Sequence, residues 1–329
     1  MTVRVGVIGL GFMGATHLRA YARAASDGVD CAVVAVSDRD ADRLSGTVVS
    51  AGNIGDEATE QLFDPSVVRT YSSIDALLGD PDVDAVSVCT YTDTHVDVAI
   101  RALDAGKHVL VEKPVSTSVA EVQRLADAAS SSALICMPAM CMRFWPAWAW
   151  LQAAIADGRF GAVRSAVFQR LASPPAWADF YADDALTGGA LFDLHIHDAD
   201  FVRWCFGAPT EVVATGTVHH VTAMYRYANG PKHVVAEGGW DHTPGFDFRM
   251  RFVVVFESAT VDFDLSRDTP LMVFENGEGR GIEVSDLTGW EAEVQAFVRA
   301  VAAGEPSPVA IQEAVGVTSM LDETRACLK

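Results

Sequence analysis

Residues 3–14 read VRVGVIGLGFMG and join a short β-branched strand to a run of three spaced glycines. The next residues, 15–25, favour a helix, so the stretch predicts strand, Gly-x-Gly-x-x-Gly and helix in that order. The first glycine permits a tight turn, the second lets the backbone approach a pyrophosphate, and the third lets the helix pack close to the strand. We therefore predict that a dinucleotide binds at Gly9, Gly11, Phe12, Met13 and Gly14.

A second predicted strand, residues 32–36, ends in Ser37-Asp38-Arg39. A carboxylate at Asp38 can accept hydrogen bonds from ribose hydroxyls, which favours NAD as the cofactor. Arg39 keeps NADP possible, because a guanidinium can stack on adenine or pair with a 2′-phosphate. The alternative for Asp38 is a helix N-cap.

The alternation of strands and helices continues to about residue 140. It predicts a doubly wound parallel sheet whose strands end at one shared edge. Gly9, Asp38, Thr90 and Lys113 all fall at such strand ends. We therefore assign residues 1–140 to an α/β Rossmann domain, with Thr90, Tyr91 and His95 as further cofactor-binding candidates.

The stretch GKHVLVEKP, residues 106–114, predicts a buried strand with a polar tip that a proline terminates. The carboxyl ends of parallel strands are where such sheets present their chemistry. Glu112 and Lys113 are therefore candidates for binding the cofactor.

From residue 141 to 329 the pattern changes to consecutive strands, which predicts an α+β domain with an open, mostly antiparallel sheet. Within it, residues 188–201 read GGALFDLHIHDADF. If this stretch is one helix, Asp193, His197 and Asp200 share a face. Three readings stay open: an acid–base site using His197, a metal site recruiting His195, His197 and an aspartate, and an internally satisfied polar network that orients two domains. The metal reading is the least favoured, because two histidines two residues apart point in different directions on a helix.

Composition excludes several classes of protein. The net charge of −20 argues against a nucleic-acid partner, which would need clustered basic side chains. The longest weakly polar run, residues 133–142, is too short to span a bilayer. Six scattered cysteines suit reduced thiols, and no leader is visible, so we expect a cytoplasmic protein.

Taken together, these motifs resemble the GFO/IDH/MocA oxidoreductases over nearly the whole chain. The resemblance rests on the glycine motif, Thr90 with His95, GKHVxxEKP, and the pattern from Gly188 to Asp200. It implies an NAD(P)-dependent dehydrogenase that acts on CH–OH groups of sugars, cyclitols or related polyols, and that forms a homodimer or homotetramer. It also implies that Lys113, Asp193 and His197 are catalytic and touch the substrate.

The same resemblance implies that Asp200 binds a substrate hydroxyl, and Arg143 is a further substrate-binding candidate. Either Lys113 or His197 can perform the proton transfer. Two related activities remain as alternatives: an NAD-assisted glycoside-cleaving enzyme and a non-catalytic dinucleotide-binding sensor.

The chain departs from the family pattern at several positions. Tyr91 replaces a usual proline, His195 a common glycine, and Cys141 a frequent asparagine. An aromatic run follows, for which we expect packing between domains or a wall for a sugar; it comprises Phe144, Trp145, Trp148 and Trp150.

Overall fold

The computed structural model describes residues 2–50, 58–175, 180 and 183–328. Its contacts divide the chain into two compact units. The first comprises Met1–Cys141 with Thr288–Val315, and the second comprises Met142–Leu287 with Gly316–Lys329. The segment Thr288–Val315, which the sequence suggested for the second domain, groups with the first unit because its helix packs against the first strand and helix.

The first unit alternates strands and helices in its N-terminal part. Its elements are β1 (Val3–Ile8), α1 (Phe12–Ser26), β2 (Cys31–Ser37), β3 (Thr47–Ser50), β4 (Ala58–Gln61), β5 (Arg69–Tyr71), α2 (Ile74–Leu78), β6 (Ala85–Val88), α3 (His95–Asp104), β7 (His108–Val111), α4 (Val119–Ser130) and β8 (Cys136–Pro138). The helix that returns from the C-terminal part is α9 (Gly289–Ala303), which has a capping box at Thr288 and Glu291.

Among the described residues, the main sheet of this unit has the strand order β5-β2-β1-β6-β7-β8, and every neighbouring pair is parallel. The predicted doubly wound Rossmann sheet is therefore confirmed. Strand order reverses between β1 and β6, and such a switch point is where open α/β sheets bind ligands. Gly9 follows β1 and Thr90 follows β6, so both lie at this point.

The second unit is a mostly antiparallel sheet with helices. Its elements are α5 (Pro146–Ala156), β9 (Val163–Leu171), α6 (Asp184–Thr187), α7 (Gly189–Asp193), α8 (Ile196–Phe206), β10 (Glu211–Thr217), β11 (His220–Arg226), β12 (His233–Gly239), β13 (Arg249–Phe256), β14 (Ala259–Asp264), β15 (Leu271–Glu275) and β16 (Glu278–Gly281). The closing helix α10 (Ile311–Cys327) contains the boundary between the two units.

In the described part of the chain, this sheet has the order β10-β11-β12-β9-β13-β14-β15-β16, with β12 and β9 as its parallel pair. Side chains alternate between its faces with the period of two that strands impose. Phe168 and Phe252 are buried on one face, whereas Val167 and Val253 are more than a third exposed on the other. Trp148 of α5 packs edge-on against Phe252, so it belongs to the core of this unit.

The stretch that was predicted as one helix through Asp193, His197 and Asp200 is interrupted. Asp193 ends α7, and α8 begins at Ile196, after Leu194 and His195. The prediction of a continuous helical stripe is wrong. The N–H of His195 donates to the carbonyl oxygen of Ala190, five residues back, and that of His197 donates to the carbonyl oxygen of Leu194, three residues back. The helical register therefore shifts between Asp193 and His197.

No helix in the described part of the chain is both long and apolar enough to cross a membrane. Each of the six cysteines, all of which lie among the described residues, is a free thiol.

Candidate active site

The glycine loop after β1 has the backbone that its sequence requires. Gly9 has φ +88°, and a Cβ there would lie 2.6 Å from the oxygen of Cys89. A Cβ on Gly14 would lie 1.9 Å from the oxygen of Gly9, so α1 approaches β1 too closely for any side chain. By contrast, the nearest atom to a Cβ on Gly11 is Nη1 of Arg43, at 3.8 Å. The loop thus leaves room at the glycine that would face a pyrophosphate, beside the N-terminus of α1.

Asp38 is buried at the end of β2 and fixes this loop. Its Oδ2 accepts the N–H of Leu10 at 2.6 Å, and its Oδ1 accepts the N–H of Asp40 at 2.8 Å. The N-cap of the next helical turn is Asp42, so the helix-cap alternative for Asp38 is wrong. Carboxylate oxygens accept more than one hydrogen bond each, so Asp38 keeps acceptor capacity for ribose hydroxyls.

Two arginines follow Asp38 in the chain and contact residues of this loop region. The Arg39 guanidinium lies 5.3 Å from the ring centre of Tyr91, which brings together two residues predicted to bind the cofactor. Nη1 of Arg43 lies 3.6 Å from Oδ2 of Asp38. Arg43 was not predicted from the sequence, because its position beside Gly11 depends on the path of the chain after β2.

Glu112 ends a buried polar chain that the sequence analysis also missed. Its Oε1 lies 2.9 Å from Nε2 of His17, and Nδ1 of His17 lies 3.0 Å from Oγ of Ser87. The same Oγ lies 2.8 Å from the hydroxyl of Tyr21. Burial alone would raise the pKa of Glu112, but its interactions with His17 and Lys113 hold the pKa below 4.5. A carboxylate is therefore maintained inside the sheet, where it accepts the backbone N–H of Lys113 at 3.0 Å.

Lys113 lies at the carboxyl end of β7 and is partly exposed. The backbone around it is tied to the neighbouring strand end through His95, whose ring nitrogens lie 2.9 Å from the oxygen of Pro114 and 3.0 Å from that of Thr90. Burial lowers the pKa of His95. This histidine therefore joins two loops, whereas the sequence suggested that it contacts the cofactor.

In the second unit, Asp193 and His197 are both partly exposed, on either side of the break between α7 and α8. Asp200 is 1% exposed and is engaged by Arg143: Nη2 lies 2.6 Å from Oδ1 and Nε lies 2.9 Å from Oδ2. The structure thus pairs two residues that were both predicted to touch the substrate. Such a two-pronged pair holds both side chains in one geometry.

A second buried ion pair lies nearby. Arg170 of β9 donates to Asp198 of α8 at 2.9 and 3.0 Å, and both side chains are almost fully buried. Next to it, His195 is fully buried and its Nε2 lies 3.0 Å from the hydroxyl of Tyr225. Burial and the charge of Arg170 lower the pKa of His195 to about 4, so its imidazole is neutral at physiological pH.

Comparison with protein families matches both units. Residues 3–140 match the oxidoreductase family with an NAD-binding Rossmann fold, and residues 148–270 match the GFO/IDH/MocA C-terminal domain. The chain is 27% identical to a myo-inositol 2-dehydrogenase from Thermotoga maritima over 328 residues, which cover 93% of this chain and 90% of that protein.

Solved structures share the fold. A UDP-N-acetylglucosamine 3-dehydrogenase from Acidithiobacillus ferrooxidans superposes with a TM-score of 0.80 at 26% identity, covering 100% of this chain and 98% of that one. A levoglucosan dehydrogenase in complex with NADH and levoglucosan superposes with a TM-score of 0.84 at 21% identity, covering 99% of this chain and 98% of the other.

Proposed function

Because this chain belongs to the GFO/IDH/MocA oxidoreductases, we propose that it is an NAD-dependent dehydrogenase that oxidises a secondary alcohol of a sugar, cyclitol or related polyol. The observation that carries the proposal is the buried Glu112 carboxylate, which fixes the backbone of Lys113 at the strand end beside the switch point. The substrate class is supported by the relatives, whose names include inositol and UDP-N-acetylglucosamine dehydrogenases.

NAD is the hydride acceptor in this proposal, and the glycine loop fits its pyrophosphate. Asp38 supports NAD over NADP, because a 2′-phosphate beside a buried carboxylate would meet like charge. Arg39 and Arg43 are the groups that would offset this repulsion if NADP were used.

We assign the proton transfer to Lys113, Asp193 and His197. The ammonium of Lys113 stabilises the alkoxide that develops as the substrate hydroxyl loses its proton. His197, whose residue type titrates near neutrality, is the candidate base, and Asp193 orients its ring or a neighbouring hydroxyl. Lys113 and His197 can exchange the base role.

Arg143 and Asp200 have a different part in this scheme. Since each satisfies the other in a buried ion pair, we propose that they hold the start of α5 and the middle of α8 in place. A substrate hydroxyl would then meet an Asp200 carboxylate whose geometry Arg143 has already set.

The test is NAD(P)-linked absorbance across a panel of sugars, inositols and sugar acids. We expect NADH formation with at least one polyol and weaker activity with NADP. Failure of every polyol despite NADH binding would refute the dehydrogenase proposal in favour of a sensor. Cleavage of an aryl glycoside without net NADH would identify the glycosidase alternative.

Lys113→Met tests the catalytic assignment. Turnover should fall by roughly a hundredfold or more, the usual range for acid–base groups, while NADH affinity stays nearly unchanged. The control is Lys232→Met, which removes an exposed lysine just before β12. Activity of Lys113→Met within about tenfold of the wild type would remove Lys113 from the mechanism.

We further propose that the chain is a cytoplasmic homodimer or homotetramer that associates through the open face of the eight-stranded sheet. Along one register row of this face lie Val213, Val167 and Val253, which are 42%, 38% and 39% exposed. Exposed apolar rows of this kind mark interaction surfaces. Light scattering that gives a monomer would contradict the assembly.

A further inference from the structure

A cluster of imidazole and carboxylate groups lies at the end of the open sheet face, among His220, Asp241 and His242. His220 begins β11, and the other two follow the end of β12. One ligand atom from each lies within 4.8 Å of the other two. Nδ1 of His220 is 2.7 Å from Oδ1 of Asp241, and Nδ1 of His242 is 3.7 Å from the same oxygen.

We propose that these three side chains bind a divalent transition-metal ion of the zinc class. Tetrahedral zinc with bonds of about 2.0–2.2 Å places its ligand atoms about 3.3–3.6 Å apart, so small side-chain movements would complete the site. Two imidazoles and a carboxylate are a donor set that zinc accepts, with water in the fourth position. This cluster is separate in sequence from Asp193 and His197, and the inference does not depend on the proposed dehydrogenase.

The surroundings of His220 have the form expected around a metal ligand. Its other ring nitrogen, Nε2, lies 3.1 Å from Oε1 of Glu237. Metal-bound histidines almost always donate their second N–H to a carboxylate or carbonyl, which fixes the tautomer and the ring orientation. Glu237 is itself held by Gln169, whose amide donates to Oε2 at 2.7 Å. A Cβ at Gly239 would lie 2.7 Å from Cγ of His220, so glycine is what lets the imidazole lie over β12.

His242 is held in a way that suits the same purpose. Its ring stacks on Phe246 with centroids 4.1 Å apart and planes 22° from parallel. Its Nδ1 is buried and has no hydrogen-bond partner among the described residues. A buried polar atom of this kind costs free energy unless something satisfies it, and a metal ion beside Asp241 would do so.

The local charge also favours a cation. Both ring nitrogens of His220 face carboxylates, Nδ1 that of Asp241 and Nε2 that of Glu237. Metal binding would replace the Nδ1 proton, which leaves to solvent, and would join the first residue of β11 to the loop after β12.

The test uses tag-free, metal-stripped full-length protein titrated with Zn²⁺ by calorimetry and with Co²⁺ by visible absorption. We expect one ion per chain and a tetrahedral Co²⁺ spectrum, both lost in His220→Ala and His242→Ala. Glu237→Gln should weaken Zn²⁺ binding by about tenfold to a hundredfold, as changes behind a metal ligand usually do.

The matched control is His219→Ala, which removes the neighbouring imidazole. Nδ1 of His219 accepts the indole N–H of Trp240 at 3.1 Å, and Nε2 of His219 lies 3.1 Å from Oδ2 of Asp184. Because this imidazole contacts other partners, the His219→Ala variant should bind metal as the wild type does. The proposal is overturned if the wild type binds neither ion, if His220→Ala and His242→Ala bind as the wild type does, or if His219→Ala loses binding equally. Circular dichroism checks that each variant is folded. If an alanine variant does not fold, Asp241→Asn is tested in its place, and metal binding by Asp241→Asn that equals the wild type would also overturn the proposal.

Discussion

Acid sensitivity of the second unit should depend on His195. This ring is fully buried, and burial and Arg170 lower its pKa from 6.5 to about 4. Above pH 6.5 the ring is neutral whether the chain is folded or unfolded. As the pH falls from 6.5 towards 4, the unfolded chain binds a proton that the folded chain excludes, so the free energy of unfolding decreases.

The size of this effect follows from the two pKa values. A full shift of this kind corresponds to about 3 kcal/mol at 1.36 kcal/mol per pKa unit. Most of it, about 2 kcal/mol, should be lost between pH 7 and pH 5. The loss is a large fraction of the stability of an ordinary domain.

His195→Gln removes the titration and retains a side chain that can hydrogen-bond to Tyr225. We expect the variant to be less stable at pH 7 but to lose about 2 kcal/mol less than the wild type on going to pH 5. The assay is urea unfolding at several pH values, followed by tryptophan fluorescence. Six of the seven tryptophans lie within residues 142–287, so the signal reports mainly on the second unit.

The matched control is His233→Gln, which removes an exposed histidine from the start of β12. Its pH dependence should follow that of the wild type. If His195→Gln instead shows the wild-type loss of stability between pH 7 and pH 5, then the buried imidazole does not govern acid sensitivity and the reasoning is refuted.

Three further predictions concern the first unit. Asp38→Ala should weaken NADH more than NADPH in fluorescence titrations, and an unchanged ratio of affinities would contradict the ribose assignment. Gly14→Ala should lower the melting temperature, because the new Cβ would clash with the oxygen of Gly9. Gly11→Ala should fold normally but bind NADH about tenfold more weakly, a loss of about 1.4 kcal/mol in binding free energy. Equal effects of the two changes on folding would contradict this contrast. Glu112→Leu should lower the free energy of unfolding by about 3 kcal/mol, measured by urea unfolding at neutral pH. The double variant with His17→Leu should lose less stability than the sum of the two single variants, because the two buried side chains interact. Additive losses would show that the pair does not couple.

The order of elements could be read from the sequence because it depends on local signals. β-branched runs, helical spacing and glycine positions act over a few residues, and they located α1 and β7 to within a few residues of the structure. Of the described strands, β3, β4, β5, β11, β15 and β16 were not predicted from the sequence. Five of them are three to five residues long, and β11, which has seven, is defined by its pairing with β10 and β12.

The glycine loop and the strand-end positions of Asp38 and Lys113 were likewise available from the sequence, because parallel strands must end at a common edge. The helical break was not. A continuous helix through Asp193 and His197 agrees with the local helical spacing. The break instead falls at Leu194 and His195, where the buried ring of His195 lies 3.0 Å from the hydroxyl of Tyr225 in β11. That tertiary contact lies outside any window of neighbouring residues.

The sequence by itself determined the family, the Rossmann unit and the residue types that a hydride-transfer site needs. The tertiary structure decided which polar and charged groups meet: His17 with Glu112 across 95 positions, Arg143 with Asp200 across 57, and His220 with Asp241 across 21. The physical reason is that a buried charge must find a partner, but the choice of partner depends on distances that only the folded chain sets.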